Sequence, residues 1–141
     1  MSDGALERIR EEFLGVETRD RLLLLLEYAD DLPPLPEEFG EHPELLERVT
    51  ECQAPVFVAA RLVDGRVRVH AKAPAEAPTT RGFASVLAQG LDGLTLDEAL
   101  AVPDDYPDTL GLTAAVSPLR LRGMSGLLAR IKRQLRAAAG A

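Results

Sequence analysis

Residues 56–72 read VFVAARLVDGRVRVHAK, and this stretch decides the fold. Val56 to Val63 is an apolar run rich in β-branched residues, the composition of a strand. Asp64-Gly65 follows, a pair suited to the positive φ angles of a two-residue hairpin turn. From Arg66 to Lys72 the chain alternates, with Val67, Val69 and Ala71 on one side and Arg66, Arg68, His70 and Lys72 on the other. A period of two with one apolar side is a half-buried strand, here with a wet, basic outer face. These residues therefore predict a β-hairpin.

Outward from the hairpin, the period becomes helical. Toward the N-terminus, Leu6, Ile9 and Phe13 predict an amphipathic helix over residues 4–14, ended by Gly15. Thr18 is placed to cap a second helix from Arg19 to about Asp31 that carries the leucine block 22–26. Because that helix is apolar around much of its circumference, it is expected to lie between other elements. Pro33, Pro34 and Pro36 impose an extended segment, and His42-Pro43 opens a short third helix expected to run through Arg48. Toward the C-terminus, Thr79 or Thr80 is expected to cap a helix reaching about Gln89. Thr95-Leu96-Asp97-Glu98 is a capping box for a short helix to Leu100. Ser117-Pro118 opens the last helix, whose stripe is Leu121, Met124, Leu128, Ile131 and Leu135. The expected class is α+β: a small antiparallel sheet built on the hairpin, with helices packed on it. The 141 residues suit a single domain over 1–141, and no linker or internal repeat divides them.

Composition narrows the function. Apolar residues make up 46% of the chain, enough for an aliphatic core, and no apolar run is long enough to span a bilayer. The first residues lack the basic and apolar regions of a secretory signal, so a cytoplasmic location is expected. The net charge of −7 is unevenly spread. Residues 1–54 hold 15 acids against 5 bases, whereas residues 119–141 hold 6 bases and no acid. An acidic body disfavours nucleic acid as a partner, since phosphate contacts need a basic footprint. The basic tail reads as a helix face that complements the acidic N-terminal part.

The chain has one cysteine, Cys52, between the short third helix and the first hairpin strand. One cysteine makes no internal disulfide and no Cys-rich metal or cluster site within one chain. It suffices for sulfur transfer, which needs one nucleophilic thiol at an accessible loop tip and takes its second thiol from another protein. A small buried residue beside a strand is the plain alternative. Glu51 opposes thiolate formation if it lies close, and Arg81, Arg120 and Arg122 are the cations available to compensate. His42 and His70 fall in different elements, which weakens a metal pair or a Cys–His dyad. Asp104 and Asp105 beside Tyr106 read as loop residues, not as an acid–base pair. Phosphate-loop, dinucleotide and nucleophile-elbow patterns are missing from the sequence.

Four stretches in order resemble one family: LLERVTECQAPVFV (45–58), PTTRGFASVLAQGL (78–91), GLTLDEALAV (93–102) and GLTAAVSPLRLRGMSGLL (111–128). The chain resembles the SufE sulfur acceptors along nearly its whole length. The resemblance implies an α+β fold like that of the IscU-type scaffolds and a persulfide acceptor at Cys52. It also implies support from Arg120, which matches the family's arginine near the last helix. The implied donor is a SufS- or CsdA-like cysteine desulfurase, which the protein would stimulate, and the implied destination is a SufBCD-type assembly complex. No cofactor of its own is implied, since the pyridoxal phosphate belongs to the desulfurase, and the protein is expected to be a carrier without independent turnover, a monomer or weak dimer. The sequence departs from the family at Glu51, commonly Gly, at Ala54-Pro55, and at Phe57, usually Trp; of an acidic loop after the second strand, Glu76 remains. Three rivals stay open: a cluster scaffold, which one cysteine disfavours; a regulatory module that activates a desulfurase or sulfurtransferase without carrying sulfur; and a peroxide-sensing thiol.

Overall fold

Three antiparallel strands, in the order β1 (Glu47–Arg48), β2 (Phe57–Val63) and β3 (Arg66–Lys72), form the sheet of the computed structural model, which describes residues 4–140. Asp64 and Gly65 stand at φ of 53° and 78°, the left-handed region that the tight β2–β3 turn requires. The hairpin register runs from Phe57 opposite Lys72 to Val63 opposite Arg66. Val67, Val69 and Ala71 are buried, as their alternation predicts.

Helices cover that inner face. α1 (Ala5–Gly15) buries Leu6, Ile9 and Phe13. α2 (Arg21–Asp30) and α1 pack on α4 (Pro78–Leu91), which lies against β3. The capping box at Thr95 and Glu98 is fully formed at the start of α5 (Leu96–Leu100). α6 (Pro118–Gly140) runs across β2 and buries the predicted stripe together with Gly123 and Leu127. One apolar cluster runs through these elements from Leu6 to Leu135. No helix among the described residues is long and apolar enough to cross a membrane.

The expected third helix through Arg48 is not there. Glu38–Glu41 forms a single turn, α3, and Pro43–Leu45 a 3₁₀ turn; Glu47 and Arg48 then pair with Val58 and Phe57 as β1. Pairing wins because Val49 is fully buried and its N–H reaches the Val56 carbonyl at 2.8 Å, which draws the segment onto the edge of the sheet. The face expected to be wet is also partly roofed. Phe39 of α3 is 2% exposed, its ring lies 5.0 Å from that of His70, and the Arg61 guanidinium sits 4.6 Å above it.

Three helix readings need correction. Thr18 makes no side-chain cap; residues 18–20 form a 3₁₀ turn. The start of α2 is instead fixed by Arg21, which donates to the carbonyls of Phe13 (2.9 Å) and Gly111 (3.0 Å). α2 is not enclosed either: Leu25 and Ala29 are buried against α4 and Tyr28 stacks on Phe13 of α1 at 5.8 Å, but Leu23 is 60% exposed on the outer side. α4 begins at Pro78, without a threonine cap, since Pro suits a first turn whose N–H has no partner.

Candidate functional site

The paired Val49 and Val56 close a six-residue loop, 50–55, at the edge of the sheet. Cys52 lies at its centre. Its N–H turns back to the Val49 carbonyl at 3.1 Å, so its side chain points inward to α6. The sulfur donates to the Gly123 carbonyl at 3.6 Å, and the residue is 8% exposed. Gly123 makes room for it: a Cβ there would stand 3.2 Å from Sγ. One turn on, Gly126 does the same for Glu51, whose side chain occupies the space within 2.6 Å of where that Cβ would be.

Beside the thiol is a cavity of about 410 Å³. Its walls are the loop (Glu51 to Ala54), the segment from Glu76 through the first residues of α4, and Leu119, Arg120 and Gly123 of α6. The structure thus brings Cys52 and Arg120 to one cavity. Arg120 is exposed, in the first turn of α6, where its N–H donates to the Ser117 hydroxyl at 3.3 Å. The other candidate cations lie elsewhere. Arg81 is committed to the carbonyls of Ala29 (2.9 Å) and Ala73 (2.6 Å) and braces the start of α4. Arg122 faces a separate depression with Asp108 and Ser125.

The cation that reaches the loop is Arg130, which sequence reasoning did not single out. Its Nε donates to Glu51 at 2.7 Å, Nη1 to Glu47 at 2.5 Å and Nη2 to Thr50 at 2.7 Å. Glu47 also accepts from Arg133 and, at 2.7 Å, from Gln134. The basic tail thus meets the acidic N-terminal part at specific pairs. Nothing local marks Arg130 among the six bases of the tail; only the crossing of α6 over β2 selects it.

Burial pushes the Cys52 thiol above its ordinary pKa; the Glu51 carboxylate adds to this, and the Arg130 charge partly offsets it. The hydrogen bond from Arg130 holds Glu51 below the ordinary carboxylate range. Burial works to raise Glu47, but the bonds from Gln134, Arg133 and Arg130 outweigh it, and its pKa is lowered. The sulfur is therefore sheltered, and its surroundings favour the thiol over the thiolate.

The remaining candidates do not gather. His42 faces Glu44 at 3.1 Å, whereas His70 packs on Phe39, with burial and then Arg61 lowering its pKa. Asp104 pairs with the buried Lys132 at 2.7 Å, and Lys132 also donates to the Val102 carbonyl. Among the described residues, no three His, Cys, Asp or Glu side chains cluster as a metal site would need.

Comparison with known proteins places this geometry in a family. The family described as "SufE: Fe-S metabolism associated domain" matches residues 7–135. An uncharacterized SufE-like protein of Mycobacterium tuberculosis is 54% identical over 134 residues, covering 94% of this chain and 92% of the relative. An uncharacterized SufE-like protein of Synechocystis is 31% identical over 119 residues, covering 84% and 72% respectively. The solution structure of a hypothetical protein from Thermus thermophilus superposes with a TM-score of 0.85 at 39% identity, covering 97% of each chain.

Proposed function

The chain belongs to the SufE family of Fe–S metabolism associated domains, and on that premise we propose that it is a sulfur acceptor whose acceptor atom is Cys52 Sγ. The observation that carries this reading is the place of the chain's single cysteine, on the loop 50–55 beside a 410 Å³ cavity that also holds Arg120. The donor is a cysteine desulfurase that bears a persulfide on its own cysteine. Once the loop exposes Cys52 to water, the burial that raises its pKa is relieved and a thiolate becomes accessible. That thiolate attacks the outer sulfur of the donor persulfide. A new S–S bond forms on Cys52, the donor's S–S bond breaks, and the donor cysteine leaves as a thiolate. The exchange is redox-neutral and needs no cofactor on this chain. Arg120 offers a positive charge to the anionic persulfide at the cavity mouth. The loaded protein then leaves the desulfurase, which its docking stimulates, and passes the sulfur to a SufBCD-type assembly complex, acting as a cytoplasmic carrier with no turnover of its own.

The test is intact-protein mass spectrometry after incubation with a cysteine desulfurase and cysteine. The wild-type chain is expected to gain one sulfur, about 32 Da, and Cys52→Ser none, as thiolate chemistry requires. Stimulation of the desulfurase without any mass gain would replace this reading with that of a regulatory module.

A further inference from the structure

Few hydrogen bonds hold the Cys52 loop shut. Among the described residues, those that run from residues 50–55 to another element all end on α6. They are the weak bond from Cys52 Sγ to the Gly123 carbonyl and the two bonds from Arg130 to Thr50 and Glu51. The segment just before the loop is anchored separately. Glu47 keeps Arg133 and Gln134 if Arg130 is lost, Gln134 also ties the Ala60 N–H at 2.7 Å, and the Val49–Val56 pairing closes the base of the loop. Hinge and catch are thus distinct groups. The catch is well made, because the Arg130 side chain is only 15% exposed and all three of its nitrogens are engaged.

We infer that Arg130 is a positioning residue for the acceptor thiol: its guanidinium clamps Thr50 and Glu51 against α6, this seats Cys52 on the Gly123 carbonyl, and release of the clamp lets the loop lift while β1 stays in place. The inference rests on Cys52 being the acceptor. It assigns a purpose to Glu51, which stands where the family commonly has glycine: the carboxylate is the loop's half of the catch. Gly126 is the seat of that catch, since any side chain there would displace Glu51.

The experiment is the rate at which iodoacetamide alkylates Cys52 in the full chain, without any partner. The charged groups nearest the thiol are Glu51 and Arg130, with Arg120 and Glu76 across the cavity. If Arg130 acted only through its charge, Arg130→Gln would slow alkylation by raising the thiol pKa further. The clamp requires the opposite sign. Arg130→Gln, Glu51→Gln and Gly126→Ala are each expected to speed alkylation roughly tenfold, the size of one lost charge-assisted hydrogen bond. The double variant Glu51→Gln/Arg130→Gln should be no faster than the faster single, because the Glu51–Arg130 pair is already broken in each single variant. Gly126→Ala guards against a folding artefact, as alanine strengthens the helix it sits in. Loss of the Glu51 charge would by itself ease thiolate formation, so Arg130→Gln and Gly126→Ala decide: unchanged or slower alkylation in either, or a double variant equal to the product of the singles, overturns the clamp. The mass-gain measurement separates the two claims. A wild-type chain that accepts no sulfur sinks the acceptor reading, and unchanged alkylation in variants that still accept sulfur sinks the clamp alone.

Discussion

Two helices use glycine for close approach, and they do so for different ends. On α4, Gly82 lies under α2, and a Cβ there would come within 2.5 Å of the Leu25 carbonyl oxygen. On α6, Gly123 and Gly126 lie under the Cys52 loop, and a Cβ there would meet loop side chains instead of helix backbone: Cys52 Sγ at 3.2 Å and the Glu51 methylenes from 2.6 Å. The first contact is helix against helix, apolar and without an alternative position. The second is helix against loop, closed by polar catches that can be undone one at a time. The difference separates a contact with no alternative packing from one held by a few polar bonds, and the proposed clamp makes the second the place where the fold opens.

The largest effect should come from crossing that division. Gly82→Ala is expected to lower stability by about 2 kcal/mol, because a backbone carbonyl cannot move aside cheaply. Urea unfolding would measure this, and Cys52 alkylation under native conditions should change little. A stability equal to wild type would show the α2–α4 contact to be as yielding as the loop, and the comparison would fail. Glu47→Gln should cost less, about 1 kcal/mol, since it weakens partly exposed bonds to Arg130, Arg133 and Gln134 without emptying the core.

A smaller effect concerns pH. The folded state holds the Cys52 thiol above its ordinary pKa, so folding favours the protonated form. That contribution is complete below the ordinary thiol range, about pH 8.5, and is lost as pH rises through the higher folded value. Wild-type stability should therefore fall across this alkaline window relative to Cys52→Ser, which lacks the titration; parallel curves would mean that the loop does not shelter the sulfur. The smallest effect is that of salt. Glu51 is 44% exposed, so raising ionic strength from about 0.05 to about 0.5 M should speed Cys52 alkylation about twofold through partial screening of its pair with Arg130.

What was legible in the sequence follows from how locally each feature is determined. The hairpin, the capping box and the stripe of α6 each repeat over neighbouring residues, so their spacing was enough. β1 was missed because Glu47-Arg48 has no strand pattern of its own; its pairing comes from Val49 being pulled into the core beside Val56. Thr18 looked like a cap, but its helix takes its start from Arg21, which reaches the Phe13 carbonyl of α1 and the distant Gly111 carbonyl. Cys52 was singled out because it is the only thiol and because its surrounding residues resemble a family. Its sheltering was not, because the glycine shelf stands on α6, 71 positions away, and the cavity needs the start of α4 as well.

The sequence by itself determined the α+β class, the family, and the presence of a single thiol, since each depends on short-range pattern or on a count. The tertiary structure decided which cations lie near that thiol. Arg81, Arg120, Arg122 and Arg130 are alike as residues, and only the fold commits Arg81 to α4, sets Arg120 at the cavity, turns Arg122 away and lays Arg130 across Glu51. Charge can be read along a chain, but its effect depends on distances of a few ångströms, and those exist only once helix, sheet edge and loop have packed together.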